Sequence, residues 1–368
     1  MSKSRVLHVI HSSAFGGGPN MLTILCTQLA ADFDMEVVCD GQGDMPARLE
    51  KVGVRIRSLP LTSKWSFTAS LPRLAAMVRG ARPDVVHLHG QFAGSLGQIA
   101  LSMAGRPRAL YTAQWPSYLD DGGAWSRLRN KTAEQVSCAG ARVVVVLSEN
   151  DRKEFTRRGL CDPRKLQVIP NAYFVDSDPA PPGQRDRLLI GFVGRLVDQK
   201  GCEFLLRAAP HVLAEIPSAR VVIVGDGPER PNLERLAREL GIASAVVFAG
   251  YDPHPARRMR EMAVLAIPSI YEPLGMVALE AMACEVPVVA SAVGGLPEVV
   301  EEGKTGSLVP PRNPEALAAA IMGILKSPDR AAAMGAAGLA RARAGFSPEV
   351  ISNRYAEVYD RLAARASS

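Results

Sequence analysis

The sequence predicts two doubly wound α/β domains in tandem, on three observations. Short continuous runs of β-branched residues alternate with helix-like stretches, the pattern of parallel strands buried on both faces. The alternation halts at 171–187, where Pro179, Pro181, Pro182 and Gly183 interrupt it, and then restarts. Of the 368 residues, 47% are hydrophobic and 22% charged, which suits packed cores and excludes a mainly disordered chain.

In the first block, strands are expected at 6–10, 36–39, 85–88, 109–111, 143–147 and 166–169, with helices at 21–31 and 71–79 among the connections. The second block offers strands at 188–193, 221–224, 246–248, 264–267, 286–290 and 307–309. Its helices start near Gly201, Glu229, Pro255, Gly275 and Leu296. From Pro314 onward an Ala-rich tail with breaks near 326–329 and 345–348 reads as three helices. Residues 1–170 are therefore expected as an N-terminal Rossmann-like domain and 171–187 as a linker. Residues 188–345 form a second Rossmann-like domain, and 346–368 a closing helix that returns to the first.

No run is long and apolar enough to span a membrane, and the longest apolar candidate, 143–147, has the length of a strand. The N-terminus passes straight into a strand-like run, so no secretory leader is expected. Cys26, Cys39, Cys138, Cys161, Cys202 and Cys284 show no C-x-x-C spacing and read as reduced thiols of a cytoplasmic protein. The net charge of +6 lies wholly in residues 1–178, which hold 22 Lys and Arg against 16 Asp and Glu. A basic first half suits an acidic partner such as a phosphorylated substrate or anionic lipid headgroups. Nucleic acid is disfavoured, because no basic run is interleaved with aromatics. Trp65, Phe67, Leu71, Leu74 and Val78, near Arg73, Arg79 and Arg82, could line a face toward an anionic membrane, but packing in the core is the favoured reading of these apolar residues.

Ligands of open α/β sheets bind at the carboxyl ends of the strands, so the residues that follow each strand carry the functional reading. After the first strand come His11 and the glycine loop Gly16, Gly17, Gly18, leading into a helix near Pro19 where amides suit an anion. His89 follows the third expected strand and Gln114 the fourth. In the second block Arg195 and Lys200 bracket a strand end and a helix start, a place for a diphosphate. Glu272 precedes a helix opened by Gly275, and Glu280 falls inside it among apolar residues, where a carboxylate needs partners such as ligand hydroxyls. Gly294-Gly295-Leu-Pro297-Glu298 is a second turn whose amides suit an anion. Two ligand edges facing one another would form an interdomain cleft. The D-x-D strings at Asp32 and Asp34 and at Asp176 and Asp178 read as solvated turn residues rather than a metal site.

These strings resemble the retaining glycosyltransferases of family 4: GRLVDQKG over Arg195 to Lys200, the Glu272 and Glu280 pair, EAMACEVPVVAS and GGLPE. The likeness is specific from Leu188 to about Pro311 and looser in the first half, through the glycine loop, DVVHLHG at Asp84 to Gly90 and VIPN at Val168 to Asn171. It implies the GT-B fold of two Rossmann-like doubly wound parallel-sheet domains facing an interdomain cleft, and transfer of a sugar from a nucleotide-diphosphate sugar, a UDP-sugar by preference. The acceptor implied is a glycan or a lipid-linked glycan, with no metal and no cofactor. On this likeness Arg195 and Lys200 clasp the diphosphate, Glu280 the ribose, and Glu272 the sugar hydroxyls. Substrate contacts are expected from Gly16, Gly17, Gly18, Leu274, Gly275, Met276 and Gly295 as well, and catalytic work from Gln114, His89, Glu272, Arg195 and Lys200. Gln114 stands where the family often has a histidine, with His89 and His11 on neighbouring strand ends able to compensate. Alternatives are a sugar-nucleotide epimerase of the same architecture, or a nucleotide-sugar-binding protein without turnover.

Overall fold

A computed structural model describes residues 3–14, 16–60, 64–105, 107–114, 123–173 and 185–364, with 64–68 described by backbone alone. The chain divides into two units, Met1–Ala172 with Pro348–Ser368, and Tyr173–Ser347. Among the described residues no helix is long and apolar enough to cross a membrane. The six cysteines are free, and all but Cys161 are buried.

The first unit is built on β1 (Arg5–Ile10), α1 (Gly17–Leu29), β2 (Asp34–Cys39), α2 (Met45–Glu50), β3 (Arg55–Ser58), α3 (Lys64–Ala81) and β4 (Val85–His89). It continues through α4 (Gly90–Met103), β5 (Ala109–Thr112), α5 (Ala124–Ala139), β6 (Val143–Val146), α6 (Glu149–Arg157) and β7 (Leu166–Val168). The seven strands are all parallel, in the order β3-β2-β1-β4-β5-β6-β7. Strand order reverses between β1 and β4, which marks the ends of these two strands as the unit's ligand edge.

Two expectations need correction here. The strand β3 was not expected: its Arg-Ile-Arg-Ser alternation is that of a half-exposed edge strand, and Arg55 and Arg57 pair with Asp34 and Glu36 of β2. Helix α3 runs well beyond 71–79. The favoured core packing of its apolar residues holds where their side chains are described: Leu74 and Val78 are buried in the unit's core and Leu71 packs against it. The side chains of Trp65 and Phe67 lie outside the described residues, as do Asp176, Asp178 and the prolines of the linker.

The second unit comprises β8 (Leu189–Val193), α7 (Cys202–Glu215), β9 (Arg220–Val224), α8 (Arg230–Glu239), β10 (Val246–Gly250), α9 (Ala256–Glu261) and β11 (Val264–Ile267). Then come α10 (Met276–Ala283), β12 (Val288–Ser291), α11 (Leu296–Val299), β13 (Gly306–Val309), α12 (Pro314–Leu325) and α13 (Pro328–Phe346). Its six parallel strands run β10-β9-β8-β11-β12-β13, so the order reverses between β8 and β11. The core is aliphatic, with Leu206, Ile223, Val264 and Ile321 fully buried between sheet and helices.

The last helix, α14 (Pro348–Ala364), belongs to the first unit and packs on α1. It brings Tyr355 and Tyr359 into the core. The Tyr359 hydroxyl shares a 2.7 Å hydrogen bond with His87 Nδ1, and His87 Nε2 shares another of 2.7 Å with the Thr112 hydroxyl. The Arg108 guanidinium donates to the Leu362 carbonyl near the helix end.

Candidate functional site

In the second unit the loops after β8 and β11 meet. Arg195 leaves β8 exposed, and its guanidinium has no ion-pair partner among the described residues. A short turn, Asp198–Lys200, then leads to Gly201, which caps α7 in the left-handed region at φ 63. A Cβ on Gly201 would lie 2.1 Å from the Pro268 carbonyl oxygen, so only glycine lets this loop close on the one after β11. The Ile270 amide donates to the Gln199 carbonyl across the same seam.

That seam sets Lys200 on Glu272. The ammonium lies 2.9 Å and 2.6 Å from the two carboxylate oxygens, and Glu272 is only 5% exposed. Glu280, on α10, is half-buried and has no hydrogen-bond partner among the described residues. Desolvation pushes its carboxyl up to about 8, while the charge of Lys200 pulls the other way. Lys200 thus acts on both carboxylates. Met276 and Val277 open α10, so their amides have no partner within the helix. Leu274 is buried and pins the turn before them.

The GGLPE turn supports this loop instead of offering its own amide. Gly294 has φ 55, and a Cβ there would sit 1.8 Å from the Glu272 carbonyl oxygen. The Gly295 amide donates to that same carbonyl at 2.9 Å. Gly295 was expected to touch the substrate; its amide is already spent on the backbone of Glu272, so it positions that residue instead.

In the first unit, Gly18 and Gln114 come together. A Cβ on Gly18 would lie 3.2 Å from Gln114 Oε1, while Gly17 is exposed with open space about it. The Gln114 Nε2 is buried and has no hydrogen-bond partner among the described residues. Gly16 takes the Asn20 amide on its carbonyl at the start of α1. His11 is exposed and packs by Phe92; desolvation lowers its pKa and the Asp40 charge opposes this.

His89 does not join them. Its ring is buried, and its Nε2 lies 3.1 Å from His8 Nδ1. His8, His87 and His89 form one buried cluster, with a nitrogen from each within 4.8 Å of the others. Burial holds all three neutral: His8 falls to about 3, and His87 and His89 lie well below the usual histidine range, His89 pushed further by His8 and His87 by both. Both nitrogens of His87 are engaged by Tyr359 and Thr112, so the cluster reads as the polar seam that seats α14 rather than a metal centre. The structure gives no contact that would carry the catalytic role expected of His89: β4 is buried on both faces, and α14 packs on His87, on the face the two histidines share. The roles of His8, Tyr355 and Tyr359 had no signal in the sequence beyond an unusual histidine density on β1 and β4.

Comparison with known proteins agrees with the geometry. Residues 16–172 match the family model of a glycosyl transferase 4-like domain, and residues 176–341 that of glycosyl transferases group 1. Alpha-maltose-1-phosphate synthase of Mycolicibacterium smegmatis is 31% identical over 393 residues, covering 95% of this chain and 96% of that protein. D-inositol 3-phosphate glycosyltransferase of Mycobacterium tuberculosis is 33% identical over 272 residues, covering 67% of this chain and 55% of that protein. The crystal structure of Anabaena HepE in complex with UDP-glucose superposes with a TM-score of 0.83 at 22% identity, over 97% of this chain and 99% of that one. With both units matched, and each sheet reversing at the loops that hold the unusual residues, the chain belongs to the group 1, family 4 glycosyltransferases of GT-B fold.

Proposed function

We propose that this glycosyltransferase takes a sugar from a nucleotide-diphosphate sugar, a UDP-sugar by preference, and passes it with retention to a glycan or lipid-linked acceptor, without a metal. The observation that carries the reading is Lys200, half-buried, joined to Glu272 and close enough to Glu280 to shift it. A diphosphate arriving here meets one free guanidinium, Arg195, and one ammonium already held in place. Two cations suffice to take up the charge that grows on the leaving group. Glu280, without a hydrogen-bond partner among the described residues, suits a pair of ribose hydroxyls, and Glu272 suits the hydroxyls of the sugar. The preference for UDP is supported by HepE, whose crystals hold UDP-glucose. Retention and freedom from metal are supported by the likeness of these positions to family 4 enzymes.

Calorimetry with UDP, GDP and ADP on the wild type and Glu280→Ala tests the donor site. Loss of two hydroxyl partners should weaken the preferred nucleotide by about 1–3 kcal/mol. Unchanged affinity in a folded Glu280→Ala protein sinks the assignment. A second reading, a nucleotide-sugar binder without turnover, is favoured by one observation: Gln114 replaces the family's histidine while His89 is buried away from the loop. Release of nucleoside diphosphate from UDP-sugars, with and without a lipid extract as acceptor and with a chelator present, separates the two. Release that the chelator abolishes argues against a metal-free reaction.

A further inference from the structure

Helix α5 is amphipathic in the reverse sense. Its inward face is polar, with Asn130, Glu134 and Ser137 buried. Glu134 accepts a 2.6 Å hydrogen bond from the Tyr111 hydroxyl and a 3.1 Å one from the Gln91 side-chain amide. Its outward face is apolar: Trp125 is 83% exposed, Leu128 55% and Val136 36%. At about 3.6 residues per turn these three fall in one stripe. The apolar surface extends onto α4, which packs against α5 and exposes Ile99 and Met103. Among the described residues, five of the six exposed large hydrophobic side chains of the first unit lie on these two helices.

The charges complete the pattern. Helix α4 has no charged residue. Helix α5 has Arg127, Arg129 and Lys131, all exposed, and its one carboxylate, Glu134, is buried. By helical spacing Arg129 flanks the stripe on one side and Lys131 on the other, while Arg127 lies round toward the side of Glu134. Val136 and Ile99 also line a groove of about 820 Å³ that holds Arg108, Arg142, Lys165 and Arg361 and no carboxylate.

We propose that this face of α4 and α5 seats on an anionic lipid bilayer. Trp125, Leu128 and Val136 would enter the boundary between headgroups and acyl chains, where an indole is well suited, and the flanking cations would meet lipid phosphates. A second copy of the chain fits less well, because a two-fold contact through this face sets Arg129 and Lys131 against the same cations. Such seating is independent of what the enzyme transfers.

The test is sedimentation of the full chain with vesicles of phosphatidylcholine alone and with phosphatidylglycerol at roughly a third of the lipid. Partition onto the anionic vesicles should be at least about tenfold stronger and should weaken when salt rises from about 0.1 M to about 1 M. Leu128→Glu should reduce it to the level of neutral vesicles. Arg129→Ala and Lys131→Ala should each cost roughly fivefold. All three side chains are exposed, so thermal unfolding should not change, and the two cation variants keep the test decisive if Leu128→Glu misfolds. Equal pelleting on both vesicles overturns the proposal. So does anionic binding that survives Leu128→Glu. A dimer that Leu128→Glu dissolves, in a protein that ignores vesicles, hands this face to a second copy and overturns it too.

Discussion

The ammonium of Lys200 spans both carboxylate oxygens of Glu272, joining a loop after β8 to one after β11. Each group fixes the other's position across the seam between the two loops. The pair sits mostly out of water, so removing one partner leaves the other uncompensated.

Lys200→Ala should therefore destabilise the second unit by about 1–3 kcal/mol, less than for a fully buried pair because the lysine is partly exposed. The double variant Lys200→Ala with Glu272→Gln should recover much of the loss, since no orphaned carboxylate remains. Chemical denaturation of the four proteins gives the coupling directly. Additive losses would mean that the contact is incidental.

Glu280 makes stability depend on pH. Its folded pKa, about 8, lies above the ordinary value of 4.5, so the folded chain keeps a proton that the unfolded chain releases. Its contribution is full below about pH 4.5, falls as pH rises, and is gone above about pH 8. The slope in that window is at most about 1.4 kcal/mol per pH unit. Unfolding curves of wild type and Glu280→Gln, taken at steps across the window, should diverge in this sense. Parallel curves would show that the carboxyl is ordinary.

Gly294→Ala tests the support beneath Glu272. The new methyl would meet the Glu272 carbonyl at 1.8 Å in a backbone of φ 55. A cost of about 2–4 kcal/mol is expected, with weakened nucleotide binding in whatever folds. Gly303 is the control: its φ is 73, yet a Cβ there meets nothing within 4 Å. Gly303→Ala should cost about 1 kcal/mol and leave nucleotide affinity intact. Equal effects at the two sites would remove the argument from close approach.

Gln114 carries an amide nitrogen that is buried and unpartnered beside Gly18. Replacing it with Ala should change stability by less than about 0.5 kcal/mol, since its Nε2 makes no hydrogen bond among the described residues. Turnover should fall more than nucleoside diphosphate affinity, because the contact assigned to it is with sugar rather than phosphate. A neutral amide also puts no step into the pH–rate profile between pH 5 and about 8. Wild-type turnover in Gln114→Ala would reduce the residue to a strand-end contact.

Much of this was legible without coordinates. The strands are continuous β-branched runs such as Val143–Val146, which have few other places to go in a large domain. Strand β3 was not, because its arginines alternate with Ile56 and mimic a solvated connection. Lys200, Glu272 and Glu280 were readable as chemistry at strand ends. The contact of Gly294 and Gly295 with Glu272 was not, being a tertiary approach between turns that look alike and independent in sequence. The burial of His89 was hidden for a similar reason. Which side of a strand end is covered depends on a helix far along the chain, and His87 finds its tyrosine partner 272 residues away.

That helix also orders the protein's synthesis. Residues 173–347 form a continuous unit that can close as it leaves the ribosome, whereas the unit holding β1 must wait for Pro348–Ala364. Until α14 arrives, His87 lacks the Tyr359 hydroxyl and the apolar side of α1 lacks its cover. The nascent first half is thus a partly finished fold throughout translation of the second, exposed to chaperones and proteases for that whole interval. A stop codon ahead of Tyr355 would strand it in that state, even though every residue of the loops after β8 and β11 had already been made.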